Sequence, residues 1–326
     1  MSGSALCEFA VRTAKNQARV FDDMVEKLGF TGTGGSQERV EFLRNLPIEK
    51  LTGRTGFTYD LSGFMSMCPN FDGDFFPKPL DELRKEASKK SVMTGISGNE
   101  GILFAFNHFK YTDYTDLLKQ HIAVDYKQDV VDDVEGVRKE ILDFYTKDYP
   151  TDDDHMMRRV AEFVGDSIFH TGILATAQNA AEHGDDVWFY VFDYCNPDGF
   201  GELKKIFPYV GPTHGIDLRY LFGDGIVSKF EPNEEDLIML DKFGSMFANF
   251  AKYGNPNGER CSDWERYDAK RPGRHFRIAL PRSEMVEEYC GGRWRFLEEM
   301  RKRNKCFQQN VYGTMPKQDQ QQQIID

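Results

Sequence analysis

The sequence predicts an α/β protein that is rich in helix and short of strands. Three observations carry this. "VWFYVFDY" (Val187–Tyr194) is an apolar run of β-branched and aromatic residues, the pattern of a central strand buried on both faces. "SVMTGISGNEG" (Ser91–Gly101) is a second apolar strand that runs into a glycine-rich bend. Long stretches with apolar residues at helical spacing separate the two and follow them.

Each element follows in order. "CEFAVRTAKNQARVFDDMVEKLGF" sets Phe9, Val11, Val20, Phe21, Met24 and Leu28 near helical spacing, and Gly32, Gly34 and Gly35 end that helix. Ser36 is placed to cap a helix over "QERVEFLRNL". Thr52–Tyr59 reads as a loop, and "FDGDFFPKPL" (Phe71–Leu80) as a turn leading into a charged helix near Asp81–Lys90. "ILFAFNHF" (Ile102–Phe109) begins a helix, and Asp113–Gly165 is helical, acidic and interrupted at Pro150. "SIFHTGILATAQNAAEH" (Ser167–His183) is an amphipathic helix. Gly199–Asp224 is loop-rich. "EEDLIMLDKFGSMFANFAKYG" is a helix with Leu237, Leu240, Phe243, Met246, Phe247 and Phe250 on one side, stopped by Gly254 and Pro256. "HFRIAL" (His275–Leu280) reads as a short strand, and the last helix as Glu284–Cys306. Only two or three strands are legible, fewer than a compact α/β domain of this size carries.

Composition narrows the function. The chain has 326 residues, enough for one large domain or two ordinary ones. With 40% hydrophobic residues, among them 27 Phe and 14 Tyr, it can fill a large core. The net charge of −12 and the pI near 5.2 argue against nucleic-acid binding, which needs a basic stripe to follow phosphates. No run approaches the roughly 18 apolar residues of a spanning helix, and no basic stretch followed by an apolar run opens the chain. A soluble globular protein, or a piece of one, with neither membrane nor nucleic acid as partner, is the expectation. Cys7, Cys68, Cys195, Cys261, Cys290 and Cys306 are scattered without a Cys-x-x-Cys pair, and no two histidines stand at a chelating spacing. No metal and no cofactor is therefore expected. There is no Asn-x-Ser/Thr sequon.

Four local patterns hold the residues that could do chemistry. "GISGNEG" (Gly95–Gly101) presents Glu100 on a bend after a strand. "GPTHGIDLRYLFG" (Gly211–Gly223) carries His214 on a loop. "FDGDFFP" (Phe71–Pro77) and "FANFAKYGNPNG" (Phe247–Gly258) flank them in sequence. Each alone is ordinary: a turn carboxylate, a loop histidine, a turn before aromatics, a helix stop.

Taken in order, they resemble the C-terminal part of the type B carboxylesterase and cholinesterase family. The bend ending in Glu100-Gly101 matches the family's acid. His214, Gly215, Asp217, Leu218, Tyr220, Phe222 and Gly223 match its histidine motif. Asp72–Pro77 matches a segment preceding the acid, and Asn249–Asn257 a helix end following the histidine. The match runs from Ser2 to about Asn310. It implies an α/β-hydrolase fold of which this chain is an incomplete, C-terminal portion, with a carboxylesterase domain over residues 1–312 and a disordered glutamine-rich tail over 313–326.

The resemblance implies catalytic roles for Glu100 and His214, and the chemistry supports them. A serine hydrolase must deprotonate a weak nucleophile at neutral pH. A neutral imidazole does this when a carboxylate orients it and stabilises the imidazolium. Gly98, Gly101 and Gly215 leave room for close approach. Asp166 in "VGDSIF" resembles a family aspartate that braces the histidine region, and equally fits an N-cap ahead of the next helix. Ser2 matches a supporting serine near the histidine, or is a loose terminus. Met65 and Met67 fall where the family places acyl-pocket side chains, or pack in the core.

The nucleophile elbow Gly-x-Ser-x-Gly does not occur in this sequence. In the family the elbow and the oxyanion-hole glycines lie upstream of the point where this match begins. The expectation is a carboxylic ester hydrolase by family, inactive as this chain alone, whose completed form would take small uncharged or aromatic esters. The alternative is a non-catalytic, partner-binding member such as the adhesion proteins that share the fold. A metal-dependent hydrolase using Asp152–Asp154 and His155 is disfavoured, since those residues look like a solvated acidic turn. Without upstream strands, the strand at Val187–Tyr194 is expected to expose an unpaired edge. The family's disulfides are not reproduced: a close cysteine pair within Val25–Leu43 is missing, and Cys306 has no partner cysteine near Ser167–Gly172. Helices near Val137–Tyr145 and Arg293–Cys306 resemble those of a dimer interface in some members, which implies a homodimer, but read more readily as ordinary surface helices.

Overall fold

Alternating apolar strands and amphipathic helices settle into layers around one sheet. The computed structural model describes residues 4, 6–7, 10, 14–52, 68–106, 112–126, 133–150, 152–205, 207, 209–225 and 229–303. Ser2, Met65, Met67, Cys306 and the glutamine-rich tail lie outside the described residues.

Among the described residues the sheet has four strands in the order β1-β2-β3-β4. They are β1 (Ser91–Ser97), β2 (Asp186–Phe192), β3 (His275–Ile278) and β4 (Glu284–Val286). β1, β2 and β3 run parallel, with Ser91 opposite Asp186 and Tyr190 opposite Phe276. β4 returns antiparallel to β3. The class is therefore α/β, helix-rich, with a small mixed sheet.

The edge expectation is corrected here. β2 is the interior strand, paired on both sides, and Val187–Phe192 are all buried. The edge falls on β1, whose first residue is exposed.

Successive β2 side chains point to opposite faces, and both faces are covered. Tyr190 and Phe192 meet Phe243 of α11 (Glu234–Tyr253), with ring centroids 5.9 and 5.0 Å apart. On the other face Phe189 meets Tyr289 at 5.1 Å, and α9 (Thr171–His183) packs against β1 and β2. That two-sided burial is why β2 reads as continuous apolar sequence.

Four of the described helices begin where a short polar side chain holds one of the first amides. Ahead of them come α1 (Ala14–Lys27), α2 (Ser36–Arg44), α3 (Ile48–Thr52), α4 (Leu80–Glu86) and α5 (Ile102–Ala105). Ser36 is the first residue of α2 and Gly35 its cap, one residue before the expected cap. The acidic stretch 113–165 is helical and interrupted at Pro150 as expected, with a further division before Val134 that makes three helices. They are α6 (Tyr114–Asp125), α7 (Val134–Thr146) and α8 (Asp153–Gly165), capped by Asp113, Asp133 and Asp152. Asp152 accepts from the His155 amide at 3.1 Å and from its ring at 2.8 Å. The acidic turn weighed as a metal site is thus occupied with capping. Asn233 and Asp236 form a reciprocal capping box at α11. Leu237 lies on the exposed side of α11, outside the apolar stripe expected to include it.

Two elements were not legible. α10 (Asp217–Phe222) is six residues between glycines, too short to show periodicity. β4 and α12 (Arg293–Arg303) replace the expected helix over Glu284–Cys306. Cys290, Gly291 and Gly292 adopt φ of 49°, 59° and 86°, and this left-handed stretch ends the strand region before α12.

No described helix is long and apolar enough to cross a membrane. Cys195, Cys261 and Cys290 are free thiols.

Candidate active site

Glu100 and His214 are 114 residues apart in sequence, and the sheet brings them together. β1 ends at Ser97, and the bend beyond it is stitched to its neighbours by backbone hydrogen bonds. The Gly98 amide donates to the Phe192 carbonyl at 2.9 Å, and the Asn99 amide to the Pro212 carbonyl at 2.9 Å. The Leu103 amide donates to Thr213 Oγ1 at 3.2 Å. The acid-bearing bend and the histidine loop are therefore one unit at the carboxyl ends of two parallel strands, the place where α/β sheets leave a crevice.

Glycine makes this possible in two different ways. A Cβ on Gly101 would lie 1.9 Å from the Ala161 carbonyl oxygen, so α5 can seat on α8 only with glycine there. Gly215 has open space around it but φ of +75°, a left-handed turn directly after His214. Its role is conformational, not the room for approach expected from the sequence.

Glu100 is fully buried, and both its oxygens are used. Oε1 accepts from the Ser97 amide at 2.7 Å, and Oε2 lies 2.6 Å from His214 Nδ1. His214 is held on its faces as well. Phe169 stacks on the imidazole with centroids 4.7 Å apart and 23° between planes, and Phe104 meets it edge-on at 5.3 Å. Among the described residues His214 Nε2 takes no hydrogen bond, and about a third of the side chain is exposed. Burial alone would lower the imidazole's pKa. The hydrogen bond and charge of Glu100, with the charge of Asp217 added, outweigh it, so the pKa stands above the ordinary histidine value. This is a base oriented at one nitrogen and open at the other.

Phe169 comes from a π-helical turn, Asp166–His170, inserted between α8 and α9. The extra residue in that turn re-aims three side chains. Phe169 faces His214. Asp166, 1% exposed, accepts from Tyr145 Oη at 2.8 Å and from Arg293 Nε at 2.6 Å. Its helix runs on unbroken from α8, so Asp166 caps nothing. It ties α12 to the helix that carries Phe169, and makes no hydrogen bond to His214. His170 Nδ1 lies 2.9 Å from Tyr289 Oη and 3.0 Å from Cys290 Sγ.

Asp166, His170 and Cys290 offer one oxygen, one nitrogen and one sulfur within 4.8 Å of one another. The donor chemistry does not favour a cation. Arg293 already occupies the carboxylate. Burial pushes the Cys290 thiol well up, with Asp166 adding to it, and holds His170 below its ordinary value. The cluster reads as a protonated thiol beside a neutral imidazole, closed on itself.

The sequence singled out Glu100 and His214, and the structure places them in bonding contact. It did not single out Phe169, Phe104, Tyr145 or Arg293. Aromatic rings and arginines have no local signature for such contacts, which lie 21 to 127 residues apart in sequence. Asp217 appeared only as one letter of the histidine motif.

Comparison with known proteins gives the family. The carboxylesterase family model matches residues 1–297. The chain is 42% identical to Esterase cest-33 of Caenorhabditis elegans over 96% of its own length and 57% of that protein's. It is 25% identical to the juvenile hormone esterase of Tribolium castaneum, covering 74% of this chain and 46% of that protein. It is also 25% identical to Esterase FE4 of Myzus persicae, covering 81% and 48%. The chain thus spans about half the length of these curated relatives. Sheet, bend, histidine turn and family match lead to one conclusion: this chain belongs to the carboxylesterase family.

Proposed function

We propose that this chain is the C-terminal portion of a carboxylic ester hydrolase with the α/β-hydrolase fold. Glu100 is the acid and His214 the general base of a triad whose serine is not among these residues. The single observation that carries the reading is the 2.6 Å contact from His214 Nδ1 to a carboxylate with no exposed surface. A buried carboxylate aimed at one imidazole nitrogen, with the other nitrogen unbonded, is the arrangement that activates a hydroxyl. It favours catalysis over the partner-binding alternative, which has no use for an oriented base. Asp166 supports the histidine region indirectly, through the turn that carries Phe169. Ser2, Met65 and Met67 keep the roles that the family resemblance gives them: a polar support and an apolar acyl pocket for small uncharged or aromatic esters. A homodimer through the outer faces of α7 and α12 belongs to the same reading. Neither nucleic acid nor membrane is a partner.

In the completed enzyme, His214 Nε2 would take the serine proton as the serine oxygen attacks the ester carbonyl. The imidazolium so formed, held by Glu100, would then return the proton to the leaving alkoxide. Water would repeat the cycle on the acyl-serine.

The test is to extend the chain upstream along its source transcript and assay p-nitrophenyl esters and fluorophosphonate labelling. The expected result is labelling and turnover in the extended protein, none in this chain alone, and loss of turnover by about 10³-fold or more in His214→Gln. Turnover indifferent to His214→Gln overturns the reading. An extended protein with glycine or alanine at the elbow position would favour the partner-binding alternative.

A further inference from the structure

α11 opens with a carboxylate that does more than a cap requires. A capping box asks the third helical residue to accept one amide hydrogen bond, at the solvated edge of the first turn. Asp236 does this, taking the Asn233 amide on Oδ2 at 3.0 Å. Yet it is only 1% exposed, and it accepts three further hydrogen bonds among the described residues. Oδ1 takes the hydroxyl of Tyr220 at 2.8 Å and that of Tyr194 at 3.2 Å. Oδ2 takes the side-chain amide of Asn196 at 2.5 Å.

These partners come from the two segments that build the site. Tyr194 and Asn196 follow closely on β2, whose Phe192 carbonyl holds the acid bend through the Gly98 amide. Tyr220 lies on α10, on the segment that carries His214. A helix of six residues does not stand by propensity, so its place is set by what it packs on. The buried Tyr220 ring meets Phe192 and Tyr194, each with centroids 5.4 Å away, and Phe230 at 5.5 Å. Apolar contact fixes depth but little direction, and a hydroxyl donating to a buried carboxylate supplies the direction. Burial first, then the neighbouring Asp236, push the Tyr194 and Tyr220 phenols up, so both keep the proton that they donate. Arg219 on the same helix adds a second tie, from Nη1 to the Gly199 carbonyl at 3.0 Å.

We propose that Tyr220 and Asp236 are positioning residues of this site: their hydrogen bond fixes α10 to the end of β2 and so holds His214 in register with Glu100. The role rests on reading Glu100 and His214 as acid and base. Glu100 reaches β2 by its own route, through the Gly98 amide on the Phe192 carbonyl. His214 reaches the same strand end through α10, Tyr220 and Asp236. The two halves are thus referenced to one strand, and loss of the Tyr220 hydroxyl slackens only the histidine half. A misplacement of about 1 Å in a reacting pair can cost about 10²-fold in rate, so a small slack is enough to register.

The test uses Tyr220→Phe, which removes one hydroxyl and keeps the ring. The first readout is the downfield proton resonance of the Glu100–His214 hydrogen bond, followed by NMR in this chain at pH 5. In Tyr220→Phe it is expected to move upfield and to exchange with water about 10-fold faster. Tyr267→Phe is the control. It removes a phenol hydroxyl from the Pro272 carbonyl near the start of β2, and leaves the resonance in place. The second readout is p-nitrophenyl ester turnover by the extended protein, where Tyr220→Phe lowers kcat about 10-fold and leaves KM within about 2-fold. An unmoved resonance in folded Tyr220→Phe overturns the proposal. So does an equal response to Tyr267→Phe, which would make the effect one of general stability. If Tyr220→Phe does not fold, amide exchange in the unsubstituted chain decides. The Gly223 amide, which closes α10 on the Arg219 carbonyl, should be protected to within about 10-fold of the amides in the middle of α11, and exchange at the rate of an open loop overturns the anchor. A resonance that depends on Tyr220, in a protein whose extended form hydrolyses nothing, sinks the esterase reading alone. Turnover that requires His214, with kcat unchanged in Tyr220→Phe, sinks only the role of Tyr220 and Asp236.

Discussion

Phe169 lies nearly parallel to the His214 imidazole, with ring centroids 4.7 Å apart. The contact joins the π-helical turn after α8 to the turn before α10. It fixes the plane of a ring whose direction is already fixed by Glu100. Truncating the buried Phe169 to alanine removes that wall and leaves a cavity. Phe169→Ala is expected to lose about 3–5 kcal/mol of stability, and Phe169→Leu less. Urea unfolding checks the loss, and equal midpoints for Phe169→Ala and the unsubstituted chain would refute it.

Glu100→Gln keeps the shape and removes the charge. Because Glu100 raises the His214 pKa, the variant's imidazole should titrate at lower pH. The sign for stability follows from the raised folded pKa. That contribution is fully present below the unfolded value near 6.5 and fades as pH rises through the folded value. Glu100→Gln should therefore lose more stability at pH 5 than at pH 8.5. Denaturant midpoints at the two pH values measure it, and an equal loss at both would contradict the assignment.

Arg293 and Asp166 form a buried pair, with Nε 2.6 Å from Oδ2. Removing one partner strands the other charge. Arg293→Met should destabilise by about 3–5 kcal/mol, while Arg293→Met with Asp166→Asn together should recover part of this. A double variant no more stable than the single would show that the pair itself is not the source.

Gly101 and Gly215 separate two kinds of strain. Gly101→Ala forces a Cβ into the Ala161 carbonyl across the α5–α8 contact. Gly215→Ala meets no atom but must hold φ near +75°. The second should cost about 1–2 kcal/mol, the first more, because backbone on both sides must separate. Thermal unfolding ranks them, and the reverse order would count against the close α5–α8 packing.

Much of the fold was legible in residue pattern. β2 was readable because a strand buried on both faces must be continuously apolar, and α11 because its apolar stripe and the Gly254 stop mark its inner side and its end. The break at Pro150 was legible, but the division between α6 and α7 was missed, although Asp113, Asp133 and Asp152 are ordinary capping residues. They stand among so many other acids that a cap cannot be told from a solvated charge. β4 and α10 were missed because three and six residues are too few to display a period.

The sequence by itself determined the chemistry on offer: a glutamate on a bend after a strand, a histidine followed by glycine, and the family pattern joining them. Those are local properties, written in neighbouring residues. Only the tertiary structure decided how the groups meet. The parallel pairing of β1 with β2 sets Glu100 at His214, an inserted helical residue turns Phe169 onto the ring, and the inward face of α10 buries Asp217. Each of these depends on backbone hydrogen bonds and packing between segments distant in sequence, and no residue pattern within one segment encodes the other side of such a contact.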